Sequence, residues 1–77
     1  MNVEIITPDK ELFNGEASSV IVPGSDGLLG ILNDHAPLIS SLTNGDVKLK
    51  TTDGEKTFTV NGGVVEVLNN KVMILAE

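Results

Sequence analysis

The single histidine, His35, and the run Gly24-Ser25-Asp26-Gly27-Leu28-Leu29-Gly30 are the residues whose types and spacing could do chemistry. An imidazole acting as general base needs a nucleophile or a second acid–base group within hydrogen-bond reach. A metal needs several ligands, and the sequence offers His35 only Asp34 and, farther off, Asp26. Two blander roles outweigh both: a turn histidine bonded to its own loop, or a contact in a protein interface. The glycine run resembles a phosphate cradle only in composition. Such a cradle sits where a strand meets a helix N-terminus, usually with a lysine nearby. Here an apolar strand-like segment follows, the loop has no lysine, and Asp26 would repel an anion. Ser25 also lacks the Gly-x-Ser-x-Gly spacing of a nucleophile elbow. Gly62-Gly63 reads as a β-bulge or tight bend, with close approach of another backbone as the alternative. Glu66 reads as a solvent-facing or backbone-capping carboxylate, and no spacing identifies a pair of carboxylates poised for acid–base work. Catalytic, cofactor-binding and metal-binding residues are therefore not expected.

The elements that must position these residues are strands. In Asp46-Val47-Lys48-Leu49-Lys50-Thr51, Val47, Leu49 and Thr51 share one face and the lysines take the other. Thr57-Phe58-Thr59-Val60 repeats the pattern with Phe58 and Val60 inward. Between them, Asp53-Gly54 predicts a tight type I′ hairpin turn with two positive-φ positions. Further strands are expected over residues 3–7, 11–13, 17–22, 28–31, 38–42, 64–68 and 71–76. Asn69-Asn70 predicts a short turn, since asparagine tolerates the left-handed region. The one place for a helical turn is 33–35. About eight to ten short strands predict an all-β fold, a small two-sheet antiparallel sandwich or flattened barrel, in one domain spanning 1–77.

Composition narrows the partners. Five lysines oppose 11 acidic residues, for a net charge of -6 with no arginine. Phosphate recognition draws on arginine forks and lysine clusters, so nucleic acid and anionic lipid are poor candidates. Partners with basic contact faces suit this surface better. Without cysteine, neither a disulfide nor a thiolate zinc site braces the core. No apolar run approaches the roughly 20 residues of a membrane span. The start Met1-Asn2-Val3-Glu4 reads as a native start and not as a signal peptide.

The chain resembles a known family through Leu12-Phe13-Asn14-Gly15, Val22-Pro23-Gly24-Ser25-Asp26-Gly27, Leu29-Gly30-Ile31-Leu32 and His35-Ala36-Pro37-Leu38. Gly45, Gly62-Gly63-Val64-Val65-Glu66-Val67 and Val72-Met73-Ile74-Leu75-Ala76 extend the likeness over nearly the whole chain. It is similar to the amino-terminal β-sandwich domain of the epsilon subunits of bacterial F-type ATP synthases. The resemblance implies a non-catalytic rotor subunit of the central stalk, coupling proton flow to ATP synthesis. Its partners would be the gamma subunit, on one face, and the ring of c subunits, at one end. Carried over position by position, Thr7, His35 and Ser40 would face gamma, and Ser25, Asp26 and Leu28 would meet the c-ring. The location implied is peripheral, at the cytoplasmic face of the bacterial inner membrane, without direct insertion.

Some positions depart from the family pattern. Leu28 stands where many members have a polar or acidic residue, so the ring contact would be more apolar. Asn33-Asp34 replaces a common Pro-Gly, and Asn44 a common proline; all three are good turn formers. The chain stops at Glu77, short of the helical hairpin that most members carry, so regulation through that hairpin is not expected. A biotinyl or lipoyl carrier domain is the alternative of similar size. Its modifiable lysine would sit at a hairpin apex, whereas Lys56 and Lys71 lie just past turns and lack the flanking residues of those families.

Overall fold

A computed structural model describes residues 1–77, all of them in strands, turns or short connections. The strands are β1 (Asn2–Ile6), β2 (Glu11–Glu16), β3 (Ser19–Gly24), β4 (Gly27–Leu32), β5 (Leu38–Thr51), β6 (Gly54–Leu68) and β7 (Lys71–Ala76). They form one open seven-stranded sheet in the order β2-β1-β7-β6-β5-β3-β4. Neighbours pair antiparallel except β1 and β7, which run parallel. The sheet folds over on itself, and both halves contribute to one core of 16 buried apolar residues. The all-β sandwich stands, with two layers cut from one sheet.

Seven strands replace the larger number expected because two pairs of segments are continuous. Residues 38–42 and 46–51 are parts of β5, and residues 57–60 and 64–68 are parts of β6. The two strands stay paired from Leu38↔Val67 to Thr51↔Gly54. What changes midway is the face that is buried. Along β5 the inward residues are Leu38, Ser40 and Leu42, then Gly45, Val47 and Leu49. The phase slips by one residue at Thr43-Asn44, both exposed, opposite Gly62 and Asn61. Gly62 and Gly63 absorb the slip with φ of 124° and 133°. A Cβ on Gly63 would overlap the Leu75 carbonyl oxygen, so bend and close backbone approach are one feature. This bend carries the ribbon from one layer to the other.

The turns also differ in detail from expectation. The β5–β6 hairpin closes on the pair Thr51↔Gly54, so its turn residues are Thr52 and Asp53, and only Gly54 has positive φ (106°). The two-residue I′ turn is instead Asn69-Asn70, with φ of 51° and 60°. Residues 33–35 form no helical turn: Asp34 adopts φ of 62°, and its amide donates to Asn70 Oδ1 at 2.8 Å. A left-handed residue ends any helical run after one step.

The two layers meet through large side chains. Ile5, Ile31, Leu49 and Ile74 are the bulkiest fully buried residues. The rings of Phe13, on β2, and Phe58, on β6, lie 5.8 Å apart and tilted by 54°, joining the far edge of one layer to the other.

Candidate functional site

The exposed surfaces, and not an enclosed centre, distinguish this molecule. Nowhere do three or more His, Cys, Asp or Glu side chains approach closely enough to hold a metal ion. His35 Nδ1 lies 2.7 Å from the Ala36 carbonyl oxygen, so the ring is engaged by its own loop.

One surface is the outer side of the layer β1-β7-β6-β5. Cross-strand register aligns Ser41, Val64, Leu75 and Ile6 in one row, and Ile39, Glu66, Met73 and Glu4 in the next. Ile39 is 71% exposed, and Val64, Leu68 and Leu75 are also open to solvent. This face is apolar because 64–68 carries apolar residues at both phases of its alternation. Val65 and Val67 point to the core; Val64 and Leu68 point away. Glu66 is exposed in the middle of this surface, while Glu4 sits 3.9 Å from Lys71 Nζ.

Thr7 and His35 lie at opposite ends of this face, whereas Ser40 is on the inward phase of β5, half-buried at its margin, so the three are not brought together. Thr7 directly follows β1, and its Oγ1 accepts bonds from the amides of Asp9 (3.3 Å) and Lys10 (3.1 Å). It lines a hollow with Ile6 and Leu75. His35 sits at the other end of β1, beside the turn whose Asn70 carbonyl accepts the Asn2 amide at 3.2 Å. The five residues of β1 between them span about 17 Å at ~3.3 Å per residue. Ser40 lies opposite Val65 on β5, next to Ile39, with its hydroxyl donating to the Ser41 carbonyl at 3.1 Å.

The second surface is the tip of the β3–β4 hairpin. Gly24↔Gly27 closes the ladder, leaving Ser25 and Asp26 as turn residues. Leu28, the next residue outward on β4, is 76% exposed. Asp26 and Leu28 share a hollow with Ile39 and Ser40, so the tip and the outer face are continuous at β5. Ser25, Asp26 and Leu28 thus share this exposed tip. Ile39, Val64, Leu68 and Leu75 were missed. Their signal was present: apolar residues on the side of a strand that alternation reserves for polar ones.

No lysine occupies a hairpin apex. Lys56 lies within β6 opposite Leu49, and Lys71 opens β7 after Asn69-Asn70. The carrier-domain arrangement is not built.

The family described as ATP synthase, Delta/Epsilon chain, beta-sandwich domain matches residues 1–77. An ATP synthase epsilon chain of Chlorobium limicola is 46% identical over 76 residues, covering 97% of this chain and 86% of that one. The epsilon chain of Leptospira borgpetersenii serovar Hardjo-bovis is 43% identical over 77 residues, and the present chain spans 61% of its length. In the Tetrahymena thermophila mitochondrial ATP synthase central stalk/c-ring structure, a chain superposes with a TM-score of 0.82 at 25% identity. The match covers 99% of this chain and 62% of that one. A chain of the Euglena gracilis mitochondrial ATP synthase shares the fold, with a TM-score of 0.88 at 18% identity over 96% of this chain and 48% of that one.

Proposed function

The chain belongs to the ATP synthase delta/epsilon β-sandwich family, and on that footing we propose that it is a central-stalk rotor subunit coupling ion flow to ATP synthesis. In this reading it performs no chemistry. It is held on two sides, by the gamma subunit on the outer face of β1-β7-β6-β5 and by the c-ring at the β3–β4 tip. Thr7, His35 and Ser40 frame the gamma-facing side, and Ser25, Asp26 and Leu28 meet the ring. Its place is peripheral, on the cytoplasmic side of a bacterial membrane.

The observation that carries this reading is the presence of two exposed apolar surfaces on one continuous, single-core body. Contiguous exposed apolar surface marks a protein contact, and a fully packed core transmits force between two contacts without yielding. The isolated Glu66 within the outer face favours a basic group on the gamma side, since charge complementarity sets register. The Leu28 side chain gives the ring contact an apolar element beside the carboxylate of Asp26.

Pull-down by purified gamma tests the larger interface, with circular dichroism as the control for folding. His35→Asp and Ser40→Lys are expected to weaken retention while the spectrum stays that of the parent chain. Equal retention of parent and both variants would remove the assignment of those residues to the gamma side.

A further inference from the structure

We infer that β4 is a self-pairing edge: two copies of this chain join antiparallel through Gly27–Leu32, with Leu28 of each copy seated over Gly30 of the other. The inference does not rest on the rotor reading. It begins from the two open ends of the sheet, β2 and β4. An edge strand offers unpaired amides and carbonyls to any strand that approaches, and charge, proline or a bulge normally guards it. Edge β2 is guarded. Glu11, Asn14 and Glu16 are exposed along it, and its register with β1 shifts between Ile5 and Ile6. Edge β4 has none of these devices. Its sequence, Gly27-Leu28-Leu29-Gly30-Ile31-Leu32, contains no charge and no proline, and its ladder with β3 is regular from Ser19↔Leu32 to Gly24↔Gly27.

The outer side of this edge is a notch. Leu28 (76% exposed) and Leu32 (64% exposed) stand on either side of Gly30. A Cβ placed on Gly30 would meet nothing within 4 Å, and the neighbour across the ladder is the half-open Ile21. A glycine between two leucines accepts a protruding apolar side chain, and Leu28 is such a side chain on the same strand. Knob and notch on one strand are self-complementary, as a two-fold interface requires.

Charge and burial select the register. Antiparallel pairing about a two-fold normal to the sheet keeps outer residues opposite outer residues. With Gly30 on the axis, the protruding Leu28 would meet the protruding Leu32 of the second copy, knob against knob, and the turns that hold Asp26 and Asp34 at the two ends of β4 would be brought together, like charge near like charge. With Ile31 on the axis, the central contact would fall on a residue already 1% exposed, which gains nothing. With Leu29 on the axis, the half-buried Leu29 is covered by its counterpart. Leu28 then lies opposite Gly30 and Gly27 opposite Ile31, and the acidic turns at the two ends of β4 are staggered and not matched. Each copy carries a net charge of -6, so long-range repulsion opposes the pair and added salt strengthens it. Pairing covers Leu28, so a self-paired chain and a chain engaged at its hairpin tip are mutually exclusive states.

Sedimentation equilibrium of the 77-residue chain over a range of concentrations, at low and high salt, tests this. The expected result is a monomer–dimer equilibrium that shifts toward dimer with salt. Gly30→Glu should weaken dimerisation by about tenfold or more, since an edge charge blocks strand addition. The open space at Gly30 keeps that variant folded, which circular dichroism would check. The chain has no native cysteine, so engineered pairs report register. A mixture of Leu28→Cys and Gly30→Cys chains, treated with a mild thiol oxidant, should form the mixed disulfide dimer faster than Gly30→Cys alone forms its own. A monomer at every concentration and salt overturns the inference. So does a dimer that survives Gly30→Glu, or one that is lost only on Val64→Lys, which would place the contact on the outer face.

Discussion

The hydroxyls of Ser25 and Ser41 lie 2.8 Å apart, and the Ser25 amide donates to the Ser41 carbonyl at 3.0 Å. The two bonds tie the β3–β4 tip to β5 next to the pair Gly24↔Leu42. Ser41 also stands in the outer-face row with Val64 and Leu75. The two candidate contact surfaces are therefore fastened together at one residue.

Ser41→Ala removes the hydroxyl contact and leaves the ladder in place. The expected cost to global stability is about 0.5–1.5 kcal/mol, the net value of one hydrogen bond. The amides of residues 25–28 should exchange faster by hydrogen–deuterium exchange, while those of β1 and β7 keep their protection. Unchanged exchange at the tip would show that Ser41 does not hold it.

Two glycines should respond oppositely to the same substitution. Gly63→Ala drives a methyl into the Leu75 carbonyl at a residue with φ of 133°. It should cost upward of about 3 kcal/mol in urea denaturation, or prevent folding. Gly30→Ala meets open space at a residue without positive φ and should stay within about 1 kcal/mol of the parent. Similar losses at both positions would contradict the account of the bend.

The Phe13–Phe58 contact should register as an inter-layer coupling. A double-mutant cycle with leucine at each position is expected to give about 0.5–1.5 kcal/mol of interaction energy beyond the single losses. A coupling near zero would mean that the rings, 5.8 Å apart, do not hold the layers together.

Much of this fold was legible because alternation is a local signal. Val47 and Leu49 are buried and Lys48 and Lys50 exposed, as the sequence pattern required. The continuity of β5 and β6 was not legible. A one-residue slip at Thr43-Asn44 looks the same in sequence as a strand break, and only the partner strand shows that the ladder runs through it. The turn type was misread at Asp53-Gly54 because a dipeptide cannot disclose which pair closes the ladder; Thr51↔Gly54 moves the turn back by one residue. The hairpin tip was legible from Gly24 through Leu28, since two glycines bracket two turn residues. The apolar residues at both phases of 64–68 were visible locally, but that they join β5, β7 and β1 into one face, and that β4 is left bare at an edge, depends on strand order, which no local pattern encodes.

The outer face should tolerate charge without unfolding. Ile39→Glu places a carboxylate on a side chain already 71% exposed, directly opposite Glu66. Stability should change by about 1 kcal/mol or less. Retention by gamma should fall by tenfold or more, because an added carboxylate in a desolvated contact lacks a partner. Undiminished retention would move the gamma contact elsewhere on the sandwich.

If the chain is a rotor subunit, it should restore coupling to membranes stripped of their epsilon subunit. ATP-driven proton pumping per ATP hydrolysed would be compared after adding back the parent chain, Leu28→Lys or Ile39→Glu. The parent should restore pumping, Ile39→Glu should fail through loss of gamma binding, and Leu28→Lys should bind gamma yet pump less per ATP. A parent chain that binds neither gamma nor the stripped membranes, and leaves pumping where it was, would contradict that reading.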